Sequence, residues 1–276
     1  MKWLHFILSH SIFVAICAVG LAFQTGQLLH VDISFYLYGF IFFATLCSYN
    51  FYWILSRYAF AGDEPLNAFL KKEVTGISLL LISAIGFAVC LFQSPVQPAH
   101  VATAVLLTVI YSIPLLPVRA LHFTRKAGVL KTLLLAFTWA YVTAFIPLQK
   151  DWALLNGPDV FIFTRRFLFM LMLCIIFDNR DKAVDKIRGL HSLATILKPN
   201  QLLLVIAFVF IVLFGTNFLS VSYGISLNQS IALQTSTIAL LIVYFFSTRR
   251  QGYLFYYFIV DGLMLFSALA TFIAGI

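Results

Sequence analysis

The chemistry-bearing residues of this 276-residue chain concentrate in one short run, Asp178-Asn179-Arg180-Asp181-Lys182-Ala183-Val184-Asp185-Lys186-Ile187-Arg188-Gly189. Asp178, Asp181 and Asp185 are spaced i, i+3, i+7, so a helix carries them on one face about 60° wide. Carboxylates that close repel one another unless a cation lies among them. Oxygen-only ligands suit Mg²⁺, which takes a few carboxylates and fills its shell with water and phosphate oxygens. Lys182, Lys186 and Arg188 alongside would supply charge for an anionic substrate. The same run also reads as a solvated helix end laced with local ion pairs, such as Asp178 or Asp181 with Lys182. The whole chain, however, has only ten Asp and Glu. Three of them within eight residues favours a site.

The elements that must position this run are set by composition. The chain is 62% hydrophobic and 10% charged, with a mean hydropathy of +0.99. Soluble domains run near 45–50% apolar and about 25% charged, so this is the composition of an integral membrane protein in a lipid bilayer. Collagen, disordered tails and disulfide-stapled scaffolds are excluded. The net charge of +8 takes a topological reading, not one of nucleic-acid binding. Cys17, Cys47, Cys90 and Cys174 lie in apolar runs without paired spacing and read as buried free thiols.

A helix needs roughly 20 apolar residues to cross the hydrocarbon. Nine segments qualify, near 3–23, 33–55, 74–93, 98–117, 128–148, 160–178, 201–220, 229–247 and 253–275. Backbone polar groups in lipid must be satisfied within the segment, and no barrel-like alternation is present, so these are helices. The first has an apolar run longer than a secretory signal core and is kept as a span. Of the 18 Lys and Arg, only Lys150, Arg165 and Arg166 fall outside the N-terminus and the even-numbered connections. The positive-inside rule then predicts a cytoplasmic N-terminus and an external C-terminus. Arg165 and Arg166 fall inside the sixth segment; either they snorkel outward or that helix starts later. The connections after helices 2 and 6 are the richest in charge, which points to two pseudo-repeated helical bundles around a central cavity open to the cytoplasmic side. Residues 1–276 read as one polytopic domain, with a bacterial-type inner membrane as the default location.

At residue level the run Asp178-x-x-Asp181-x-x-x-Asp185-Lys186-x-x-Gly189-x-x-Ser192-Leu193 resembles the second aspartate-rich motif of the UbiA superfamily of intramembrane prenyltransferases. Tyr111-Ser112-Ile113-Pro114-Leu115, followed by Arg119 and a basic stretch to Lys131, is similar to that superfamily's Tyr-Ser-x-Pro-Leu element. The resemblance implies a prenyl diphosphate as substrate. Its leaving group would be neutralised by Mg²⁺ on Asp178 and Asp181 with Asp185 in support, helped by Arg119, Arg125, Lys126, Lys182 and Lys186. The allylic cation would be trapped by an aromatic or lipid acceptor whose identity the sequence leaves open.

The chain departs from the superfamily after helix 2. Where the first motif is Asn-Asp-x-x-Asp-x-x-x-Asp, this chain keeps Asn50 but has Phe51, Ile54 and Tyr58 in place of the three aspartates. The nearest acids, Asp63 and Glu64, lie past a glycine. At most one metal site is therefore expected. Arg57, seven residues after Asn50 and on its helical face, has two readings. It joins Arg125 and Lys126 in binding phosphate oxygens, or it is a positive-inside anchor. Asp261, inside the ninth segment, faces the central cavity or pairs with a buried partner such as His10 or Tyr141. His5, His30, His100, His122 and His191 show no metal-ligand spacing and read as interfacial. Against the enzyme stands a catalytically degenerate relative that binds a prenyl lipid or quinone without turnover. A transporter is a third reading, with no broken helix pair to support it.

Overall fold

A computed structural model of the protein describes residues 2–59, 65–113, 128–188 and 191–276, leaving aside the side chains of Lys2, Ala59, Leu66 and Arg188. Every regular element among them is helical. In chain order they are α1 (Lys2–Ser9), α2 (Ile12–Leu29), α3 (Phe35–Ala59), α4 (Leu66–Lys72), α5 (Val74–Gln93) and α6 (Pro98–Ser112). There follow α7 (Gly128–Ala140), α8 (Gly157–Arg188), α9 (Leu193–Ile196), α10 (Pro199–Leu219), α11 (Leu227–Ser247) and α12 (Asp261–Ile273). A π-helical turn, Tyr141–Phe145, extends α7, and another, Phe255–Val260, leads into α12.

Eight of the described helical stretches are long and apolar enough to cross a bilayer, so the chain is a multi-pass membrane protein. The expected span over 98–117 is described only as far as Ile113, and α6 itself has 15 residues. The first expected span, 3–23, is corrected. The chain breaks at Ser11, whose φ of 61° is left-handed, and the crossing helix is Ile12–Leu29. A left-handed L-residue costs about 1–2 kcal/mol. Asn50 of α3 helps hold the break, its Nδ2 donating to the carbonyls of Leu46 at 2.8 Å and His10 at 3.3 Å. The short α1 ahead of it leaves Trp3 82% exposed, an amphipathic ring of the kind that anchors at a membrane interface.

Helix ends follow local chemistry. Pro98 and Pro199 begin α6 and α10, where a missing N–H costs nothing. Asn156 and Asp159 cap α8 reciprocally, each side chain accepting the other's backbone N–H at 2.9 and 3.1 Å. Two helix contacts depend on missing side chains. A Cβ on Gly86 of α5 would stand 2.7 Å from the Phe43 ring of α3, and one on Gly128 would stand 2.3 Å from the His191 backbone. Small residues let membrane helices approach this closely. All four cysteines are free.

The central element is α8. Buried residues make up 67% of its apolar window, against 11% for α5. Its 32 residues span about 48 Å, well beyond the roughly 30 Å hydrocarbon core. Met172, Leu173, Ile175 and Ile176 fill the core with Leu21, Ile41, Leu213, Leu240 and Val260 from the surrounding helices.

The expectations for Arg165 and Arg166 are also corrected: α8 starts earlier than 160, and neither side chain snorkels. Both are buried, and among the described residues neither meets a carboxylate. Arg165 Nε donates to Asn217 Oδ1 of α10 at 2.5 Å, and Asn217 in turn bonds Gln234 and Thr237 of α11. Arg166 Nη2 donates to Gln24 Oε1 of α2 at 2.9 Å and to Thr25 Oγ1 at 3.3 Å. Gln24 Nε2 passes the network on to Ser267 and Thr271 of α12. The charge is thus spread through amide and hydroxyl dipoles that tie α8 to α2, α10, α11 and α12. Gln24→Leu removes the Oε1 acceptor that Arg166 uses and is expected to cost about 2 kcal/mol. The check is a lowered thermal unfolding midpoint in detergent, with Gln93→Leu at the exposed end of α5 as a neutral control.

Candidate active site

The carboxylate-bearing end of α8 faces a cavity of about 820 Å³. Its walls come from α2, α3, α6, α7 and α8 and from the chain between Gln251 and Met264. Most of the lining is apolar or aromatic, including Tyr49, Tyr52, Tyr111, Trp139 and Phe177. The described charges on it are the four carboxylates of Asp178, Asp181, Asp185 and Asp261 and the two cations Lys131 and Arg180. Among the described residues, four acids thus share this wall with two basic groups.

Each acid has a different setting. Asp178 Oδ2 accepts a hydrogen bond of 2.6 Å from Thr132 Oγ1 on α7, where Gly128 allows the start of α7 to lie against the chain near α9. Asp181 is gripped through both oxygens by its neighbour Arg180, at 2.7 Å from Nε and 2.7 Å from Nη2. Arg180 is itself held in an aromatic cage, its guanidinium 4.8 Å from the Phe177 ring, 5.1 Å from Tyr257 and 5.4 Å from Tyr256. Planar guanidinium is suited to both contacts at once. Asp185 is buried on the same wall, one helical turn past Asp181.

Lys131 enters from α7. Its ammonium lies 5.6 Å from the Tyr111 ring centre and within electrostatic reach of Asp178 and Asp185. Tyr111 stacks on Tyr52 with ring centres 5.2 Å apart, joining α6 to α3 across the cavity. Neither Lys131 nor Arg180 is among the site residues expected from the sequence, where the positive-inside rule counts both as topology charges. Lys131 carried a usable signal, since an ionisable residue inside an apolar span usually faces a protein interior or wet cavity.

The other expected residues are placed elsewhere. Asn50 and Arg57 line a separate cavity of about 210 Å³ with His10 and Lys72. Asn50 holds the helix break there, and Arg57 Nη1 pairs with Glu73 Oε2 of the α4–α5 junction at 2.5 Å. The structure thus places both in the lining of the second cavity and not of the main cavity. They share a face of α3, but it is turned away from that cavity. Lys182 and Lys186 also lie off the cavity wall, with Lys186 exposed. Arg119, Arg125 and Lys126 lie outside the described residues. Asp261 does face the cavity and pairs with neither expected partner. His10 bonds Ser9 and the Phe6 carbonyl, and Tyr141 bonds His100 at 3.0 Å.

The donor set limits the metal. Among the described residues no three His, Cys, Asp or Glu side chains converge to hold one ion. Asp181 is clamped by Arg180, and Phe51 stands on the α3 wall of the cavity; Asp178 and Asp185 are the carboxylates that would hold an ion. Two carboxylates fit Mg²⁺, which binds through one or two of them and completes its shell with water and phosphate oxygens.

No family sequence profile and no curated protein matches the chain. Solved structures do. The apo structure of a UbiA homolog from Aeropyrum pernix K1 aligns with a TM-score of 0.59 at 11% identity, covering 95% of this chain and 97% of the other. A structure of digeranylgeranylglyceryl phosphate synthase in membranes aligns with a TM-score of 0.55 at 16% identity, covering 100% and 99%. The chain has the UbiA-type fold along its whole length.

Two substitutions separate the two cavities. Lys131→Met is expected to weaken binding of inorganic pyrophosphate in the presence of Mg²⁺ by about tenfold, the equivalent of 1.4 kcal/mol. Arg57→Met leaves it unchanged. Isothermal titration of the detergent-solubilised protein reads both.

Proposed function

We propose that the protein is an integral-membrane prenyltransferase that moves a polyprenyl group from a prenyl diphosphate to an aromatic or lipid acceptor. One observation carries this reading: Asp178 and Asp185 of the aspartate-rich run line a largely apolar cavity beside Lys131, within a UbiA-type fold. The basic-residue bias supports a cytoplasmic mouth for that cavity.

In this mechanism the diphosphate lies against α8 and α7. Asp178 and Asp185 would hold one Mg²⁺, which when bound neutralises the charge that develops on the departing diphosphate. Lys131 adds a fixed cation at the same wall, and Thr132 holds the Asp178 carboxylate in place by its 2.6 Å bond. Arg180, fixed by its cage and by Asp181, supplies a preorganised positive group without reorganisation cost at the moment of bond breaking. The prenyl chain lies along the apolar lining. Tyr and Trp faces exclude water from the allylic cation, and their negative ring faces stabilise it.

A second reading has its own support. Phe51 lines the α3 wall where the resemblance expects a carboxylate, which suits a relative that binds a prenyl lipid or quinone without turnover.

Mg²⁺-dependent release of diphosphate from a panel of prenyl diphosphates decides between them. Turnover in the wild type is expected, with losses of at least about 100-fold in Asp178→Ala and Asp185→Ala and full activity in Arg57→Ala. Binding without release across the panel would establish the non-catalytic reading instead.

A further inference from the structure

Asp261 is left without a task by the diphosphate-binding wall. It is 6% exposed, begins α12 immediately after a π-helical turn, and contributes its side chain to the cavity. Among the described residues its carboxylate makes no hydrogen bond and no ion pair within 4.0 Å. A carboxylate placed so deep in an apolar span is costly and usually functional, and π-turns of this kind concentrate at functional sites.

Its surroundings locate it. Cys17 of α2, Tyr49 of α3 and Cys174 and Arg180 of α8 all lie within electrostatic reach of it. Cys174, one turn below Asp178 on α8, also lies within reach of Asp178. Asp178 and Asp261 therefore flank the same stretch of the cavity from different helices. A diphosphate is repelled by a carboxylate that has no metal partner, so it belongs with Asp178, Asp185 and Lys131. The wall around Asp261 and Tyr49 is left for the acceptor.

We infer that Asp261 is the general base of the transfer, taking the proton from a hydroxyl-bearing acceptor seated against the wall formed by α2, α3 and α12. The inference rests on the prenyltransferase reading. In the step, the bond from prenyl C1 to the diphosphate oxygen breaks and its electron pair leaves with the diphosphate. The acceptor's hydroxyl oxygen gives an electron pair to C1 as the new C–O bond forms. Its proton passes to the Asp261 carboxylate and then to water at the mouth. Arg180 supplies the countercharge that a carboxylate needs at this depth.

The test uses full-length protein in lipid vesicles with geranylgeranyl diphosphate. The acceptors are hydroquinone, a hydroxybenzoate and glycerol phosphate, each beside its methyl ether at the reacting hydroxyl. Product formation, total diphosphate release and the Kd for geranylgeranyl diphosphate are measured for wild type, Asp261→Asn and Asp261→Glu. The expected result is transfer by wild type to a hydroxyl acceptor but not to its ether. Asp261→Asn should lose about 100-fold or more in transfer, with Kd unchanged and slow diphosphate release to water retained. Asp261→Glu should recover part of the transfer. Transfer by Asp261→Asn within threefold of wild type overturns the inference, and so does equal use of ether and hydroxyl acceptors. Loss of geranylgeranyl diphosphate binding in Asp261→Asn also overturns it, since that makes Asp261 a prop for the diphosphate wall. A wild type that transfers to nothing removes the base together with the reaction, a result distinct from an active wild type whose Asp261 is dispensable.

Discussion

The cost of holding charge out of water organises this molecule, and most of that cost falls on a single helix. α8 carries Arg165 and Arg166 in one half and Asp178, Arg180, Asp181 and Asp185 in the other. A lone ion in a low-dielectric interior is penalised by several kcal/mol even after relaxation. Each neighbouring helix therefore has to present something to α8. In one half α2 and α10 present amides and hydroxyls, which α11 and α12 back up. In the other, α7 presents Thr132 and Lys131, and the turn before α12 presents aromatic faces.

The two halves solve the problem differently, with different consequences. Around the arginine pair the partners are neutral and packed, so the outcome is a lock between helices. Around the carboxylates the space stays open, about 820 Å³ of it, and among the described residues the acids outnumber the basic groups on its wall. An open, water-accessible site with unbalanced charge can bind a ligand; a filled network cannot. Arg180 belongs to both regimes. It is clamped by Asp181 and three rings like a structural group, yet it lines the cavity like a functional one.

The missing acids of α3 have a structural counterpart. Asn50 bonds across to the His10 carbonyl and holds a left-handed break in the first helix, and Arg57 pairs with Glu73. The face of α3 that those two residues share meets the break after α1 and the junction of α4 and α5. Its other face gives the cavity Tyr49, Phe51 and Tyr52, and Phe51 stands where the resemblance expects a carboxylate.

Much of the architecture was legible from residue types alone. Apolar runs of membrane-spanning length, the aspartates at i, i+3 and i+7, and the intramembrane Asp261 are local or one-dimensional signals, because hydrocarbon thickness and helical period act on every segment independently. Composition thus determined a helical membrane protein with an acidic site at the end of its sixth expected span. Only the tertiary structure decided which charges meet. Spacing put Arg57 on the face of Asn50 but could not say that this face turns toward Glu73. Charge bias counted Lys131 and Arg180 as topology signals, though packing brings both into the cavity. Arg165 and Arg166 looked like a boundary problem, and their partners lie 52 and about 140 residues away in the chain. Pairing across helices depends on rotation and depth within the bundle, and no single segment encodes either.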